Sequence, residues 1–158
     1  MSFSNEINRI RLGAMGSEIA TLVGRYRRES KQKMSLSEED KNILVNAITF
    51  VENMGKGYTA VVETHNFNIN SDVPVSYNYY IKVRQQLPEL GPVNQASEIE
   101  REIEMFADVL KKLSEEKPLA EKEGHELDKV GKFFSRLSDF ALEELYIINN
   151  EKRELESL

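Results

Sequence analysis

EIEREIEMFADVLKKL at residues 98–113 and LDKVGKFFSRLSDFALEELYII at residues 127–148 are the two stretches that decide the fold of this chain. In the first, Ile99, Ile103, Phe106, Leu110 and Leu113 recur at steps of three and four residues. In the second, Leu127, Val130, Phe134, Leu137, Ala141, Leu145 and Ile148 do the same. Such steps place each set on one face of an α-helix, while Glu, Lys, Asp and Arg occupy the rest of the surface. Each helix must therefore bury its stripe against a neighbour. Ser97 with Glu100 reads as a capping-box start for the first helix, which ends near Lys117, before Pro118. The second begins between Pro118 and Gly124 and runs to about Asn150, with an acidic tail over 151–158. So short a link makes the two helices antiparallel partners.

Upstream of a loop broken by Gly91-Pro92, the period changes. Val75, Tyr77, Tyr79, Ile81 and Val83 alternate with Ser76, Asn78, Tyr80, Lys82 and Arg84, the two-residue period of a strand. Phe67 and Ile69 alternate with Asn66, Asn68 and Asn70, and Asn70-Ser71-Asp72 with Pro74 supplies turn residues. This pattern predicts a small β-hairpin over 58–84, resting on the helices or on a partner because two isolated strands are marginal in water. A rival helix from Ser76 to Leu87 puts Tyr77, Tyr80, Ile81 and Leu87 on one face.

Further towards the N-terminus, Ser37 followed by Glu38, Glu39 and Asp40 is a helix start, with a capping hydroxyl and three acids at the positive end of the dipole. Ile43, Ala47, Phe50, Val51 and Met54 line that helix, and Gly55-Lys56-Gly57 reads as its terminator. Residues 5–33 form one long helix with Leu12, Met15, Ile19, Leu22, Val23 and Tyr26 on its apolar face. Gly13, Ser17, Ala20 and Gly24 repeat beside it as a ridge of small residues. Glycine lowers helicity by about 1 kcal/mol relative to alanine, which close approach of another helix offsets. The expected fold is thus a single mainly-α domain over 1–158: a bundle of about four main helices with a β-hairpin between its halves. Helical segments cover 4–54 and 97–150.

With 158 residues, the chain can bury about 70% of its unfolded surface without staples. It contains no cysteine, which removes disulfides, thiolate metal sites and cysteine nucleophiles. Met1 to Leu12 lacks the apolar core of a secretory signal, and no stretch approaches the roughly 18 apolar residues of a membrane span. A cytoplasmic protein without a membrane partner is expected. The net charge of −6 is unevenly spread: seven basic residues face three acidic ones in 1–34, against fourteen and twenty-four in the remainder.

Material for catalysis is scarce. The chain has two histidines, His65 and His125. Glu63 and His65 share a face only on a strand, with no third ligand, and His125 sits among Glu121, Glu123, Glu126 and Asp128 in an acidic, watery helix start. Neither histidine has Glu three residues before it, as di-metal bundles require, because Val62 and Lys122 hold those positions. Gly13-x-x-Gly16 and Gly55-x-Gly57 lack the strand and the Gly-Lys-Ser/Thr of a phosphate loop. No catalytic residue, metal ligand or cofactor is assigned, and a non-enzyme is expected.

Two kinds of partner remain. The leading expectation is a non-catalytic assembly or adaptor subunit that packs helical faces against a protein partner or itself as a homo-oligomer. Its interface candidates are Gly13, Ser17, Ala20 and Gly24, with Phe133, Phe140 and Ile147 off the main stripe of the last helix. The alternative is a nucleic-acid-binding accessory subunit. Arg25, Arg27, Arg28, Lys31 and Lys33 would neutralise phosphates, joined by Lys82 and Arg84, while Tyr77, Tyr79 and Tyr80 stack on bases. Against it stand the acidic body of the protein and the ordinary role of cations at a helix C-terminus.

Overall fold

The structure, a computed structural model, describes residues 2–28, 35–64, 72–93 and 95–157. The described residues form five α-helices: α1 (Ser2–Arg28), α2 (Glu38–Thr64), α3 (Asp72–Gln85), α4 (Ala96–Ser114) and α5 (Glu121–Glu156). A single 3₁₀ turn, Pro88–Leu90, separates α3 from α4. The described residues include no strand.

The hairpin expected over 58–84 is therefore absent. Residues 58–64 complete α2 and 72–84 belong to α3, while 65–71, which carry Phe67 and Ile69, lie outside the described residues. The burial pattern shows why the helix wins. Tyr77, Tyr80, Val83, Arg84 and Leu87 are buried, at helical steps of three and four, whereas Val75 is exposed and Ile81 only half-buried. Strand alternation would have buried Val75 and Ile81 and turned Tyr80 to solvent. Tyr80 instead is fully buried, its ring 5.9 Å from Phe133. A helix also satisfies its own backbone groups, whereas a lone hairpin leaves two open edges.

Gly55-Lys56-Gly57 does not end α2, which runs on to Thr64. Among the described glycines only Gly91 has a positive φ, of 91°, so it is the one using glycine's access to that region. At Gly55 a Cβ would lie 3.5 Å from Ile103 Cγ2 of α4, an ordinary contact distance, so the helix passes this position without needing a turn or a close approach. Nor is 151–158 a simple tail, since α5 continues to Glu156. The start of α2 is as the sequence suggests. Ser37 Oγ accepts from the amide of Asp40 at 3.1 Å, and the amide of Ser37 donates to Asp40 Oδ2 at 3.1 Å.

α1 and α5 lie antiparallel, as the order of their contacts shows: Arg9 with Glu144, Gly13 with Leu142, Val23 with Gly131, Arg27 with Asp128. α2 and α4 are antiparallel too, joined through Glu52–Lys111, Gly55–Ile103 and the Tyr58 hydroxyl donating to the Ala96 carbonyl. α3 packs on α2 and α5. One hydrophobic core unites all five helices around Phe106, Phe133 and Phe134, with ring centroids 5.2 Å apart for Phe106–Phe133 and 5.4 Å for Phe133–Phe134.

Candidate interaction surfaces

The ridge of small residues resolves into two different environments. Gly13 is buried against α5, where a Cβ would sit 3.1 Å from Leu142 Cδ2. Ser17 is exposed, and Ala20 and Gly24 are half-buried, with only Arg28 Nη1 within reach of a Gly24 Cβ at 3.5 Å. Among the described glycines the tightest position is Gly16, whose Cβ would collide with the Phe134 carbonyl oxygen. Gly131 and Ser138 complete that seam from α5. A Cβ on Gly131 would meet Val23 Cγ1 at 2.9 Å, and Ser138 Oγ donates to the Gly13 carbonyl at 2.7 Å. Gly13-x-x-Gly16 is one turn of helix in spacing, which was the available signal for this seam.

Phe133 is fully buried, and Phe140 is half-buried, with the ring of Tyr79 edge-on to it at 5.9 Å. Ile147 is the member of that set that faces outward, at 55% exposure. The apolar stripe does not include its exposed neighbours Leu142, at 48%, and Tyr146, at 67%; on α1, Ile10 is 53% exposed. Leu142 and Tyr146 are four residues apart, outside the core stripe, so their pairing on one side of α5 was readable from spacing. Asp139, Leu142, Glu143, Tyr146 and Ile147 frame a shallow depression of about 560 Å³ there.

Of the residues proposed for nucleic acid, most of those described are paired with carboxylates or buried. Arg25 donates to Asp40 Oδ2 at 2.6 Å, and Arg27 Nε lies 3.0 Å from Asp128 Oδ1. These pairs, with Ser37, set Asp40: partial burial pushes its carboxyl up, but the bonds from Arg25 and Ser37 outweigh that and hold it below the usual value. Arg28 and Lys82 are exposed, while Lys31 and Lys33 lie outside the described residues. Arg84 is buried, binding Glu102 through Nε at 2.6 Å and Nη2 at 3.0 Å and donating to the carbonyls of Leu87 and Gly91.

The three tyrosines are core residues. Tyr80 donates to Glu102 and Tyr79 to Glu144, each at 2.7 Å, and Tyr77 stacks on Tyr80 with ring centroids 6.2 Å apart. Burial first, then the adjacent carboxylates, pushes the Tyr79 and Tyr80 hydroxyls well above the ordinary phenol range. Tyr77 is raised by burial and by Tyr58.

His125 is exposed, 3.9 Å from Glu121, and His65 lies outside the described residues. Among the described residues no group of three or more His, Asp or Glu side chains is placed to hold a metal ion. No helix among them is long and apolar enough to cross a membrane. A second concavity, about 540 Å³, runs between α2 and α4.

The described residues form an all-helical fold whose outward features include an apolar helix side and an interhelical groove. No protein-family model, curated protein or solved structure matches this chain at a significant level.

Proposed function

We propose that this protein is a non-catalytic assembly or adaptor subunit, acting through protein–protein packing of helical faces. The observation that supports this reading most is the outer side of α5, where Leu142, Tyr146 and Ile147 stand in solvent around one depression. Single exposed apolar residues are ordinary, but neighbouring ones on a helix already packed by its other face suit a protein contact. A tyrosine at the centre adds a large, nearly rigid contact group. The nucleic-acid reading gains less from the geometry, because its tyrosines are core residues and Arg25, Arg27 and Arg84 are paired with carboxylates.

Sedimentation equilibrium over a wide concentration range tests the proposal. Self-association that rises with concentration, and that is lost in Leu142→Glu/Ile147→Lys with helicity unchanged, is the expected result. A chain that is monomeric at every concentration, or an association indifferent to those substitutions, overturns assembly through this face.

A further inference from the structure

The groove between α2 and α4 shares no residue with the outer side of α5. Its lining runs along α2 from Val51 to Glu63, about 18 Å at 1.5 Å per residue, or some three helical turns. The floor is apolar and low, made by Gly55, Ile103 and Ala107. Glycine and alanine at two of these positions leave room for a third helix to lie close between two antiparallel ones.

The rim is acidic. Glu63, Glu100 and Glu104 line it, and among the described residues none of the three stands in an ion pair. Glu52, the fourth carboxylate, is taken by Lys111 at 3.3 Å, and Lys56 is the one cation of the lining. Elsewhere the protein pairs several of its exposed carboxylates internally, as with Glu38, Glu115, Asp139 and Glu143. The groove thus offers an apolar floor between carboxylates without partners.

We infer that the α2–α4 groove is a docking site for an amphipathic helix of a partner protein, one whose apolar ridge is flanked by Lys or Arg. Helix-in-groove recognition needs apolar anchors at i, i+3/i+4 and i+7, and the three-turn length accommodates them. Lysine or arginine beside that ridge meets Glu63, Glu100 and Glu104, which fixes register and excludes acidic helices.

The test uses the full chain and three fluorescent peptides of about 18 residues, enough to span the groove. One has a leucine ridge flanked by lysine, the second replaces the lysines with glutamate, and the third scrambles the first. Fluorescence anisotropy should show the lysine-flanked helix binding at least about tenfold tighter than either control. Glu100→Lys/Glu104→Lys should weaken it about tenfold, while Glu154→Lys, far along α5, leaves it unchanged. Because these positions are exposed, circular dichroism should show folding unaltered. Equal binding of the scrambled peptide would reveal mere charge attraction and overturn the inference. So would absence of binding, or indifference to the groove substitutions. If the groove charges instead alter only the sedimentation mass, its occupant is a second copy of this chain and the inference fails in favour of that.

Discussion

Ser138 on α5 donates its hydroxyl hydrogen to the carbonyl oxygen of Gly13 on α1, across 2.7 Å and 125 positions of sequence. A helical carbonyl already accepts from within its helix, so this second bond requires the two backbones to approach closely. Glycines at 13, 16 and 131 allow that approach. Ser138→Ala should lower stability by about 1 kcal/mol, the usual value of a buried neutral hydrogen bond. Urea denaturation measures it, and an unchanged midpoint would show that the bond contributes nothing net.

Gly16 and Gly24 should respond in opposite directions. Gly16→Val drives a side chain into the Phe134 carbonyl, and overpacking of this kind destabilises by roughly 1–3 kcal/mol or more. Gly24→Ala meets only the end of Arg28 and removes a helix-interior glycine, so it should stabilise by up to about 1 kcal/mol. The same urea titrations decide both. A destabilised Gly24→Ala monomer would show that small size matters at position 24.

Glu102 accepts from Arg84 and Tyr80 at the same end of α3, and Arg84 also holds the carbonyls of Leu87 and Gly91. Glu102→Ala leaves a buried guanidinium without its carboxylate, and breaking a buried pair in this way costs about 3–5 kcal/mol. Arg84→Met/Glu102→Leu, which removes both charges, should recover part of that loss. Thermal melts of the single and double variants provide the comparison; an additive double variant would rule out the coupling.

Asp40 is held below the ordinary carboxylate value, so its bonds to Arg25 and Ser37 stabilise the fold above the unfolded-chain pKa. That contribution disappears as pH falls through the lowered folded value. Wild type should therefore exceed Asp40→Asn in stability at neutral pH, with the two converging in acid. Denaturation midpoints between neutral pH and acid measure the gap, and a gap that persists in strong acid would contradict the ion-pair origin.

Tyr79 and Tyr80 have raised pKa values, so the sign is reversed. Their neutral forms favour the folded state at all pH values below the phenol value of 10.0, and that preference weakens the fold once pH climbs beyond it. Ultraviolet titration should show these two phenols ionising only as the helices melt, in step with the loss of circular dichroism. Ionisation of all six tyrosines in the folded protein would contradict their burial.

Sequence periodicity by itself determined the helix 96–114 nearly to its ends, the start but not the end of the helix 121–156, the capped start of α2, and most of the core faces of α1 and α5. It did so because long stripes of apolar residues fit only one repeat. Residues 75–84 fit both a two-residue and a 3.6-residue period over so short a window, and only packing chose between them. Tyr80 finds Phe133 and Glu102 when α3 is helical, partners that lie 22 or more positions away. The same holds for the ridge of α1. Sequence shows that its residues are small, while the position of α5 decides that Gly13 and Gly16 are covered and Ser17 is not. Exposure of Leu142, Tyr146 and Ile147, and the paired state of Arg25, Arg27 and Arg84, likewise depend on neighbours brought in from other helices. A repeat along one chain specifies which residues share a face; what that face meets is set by contacts distant in sequence, and those exist only in the folded protein.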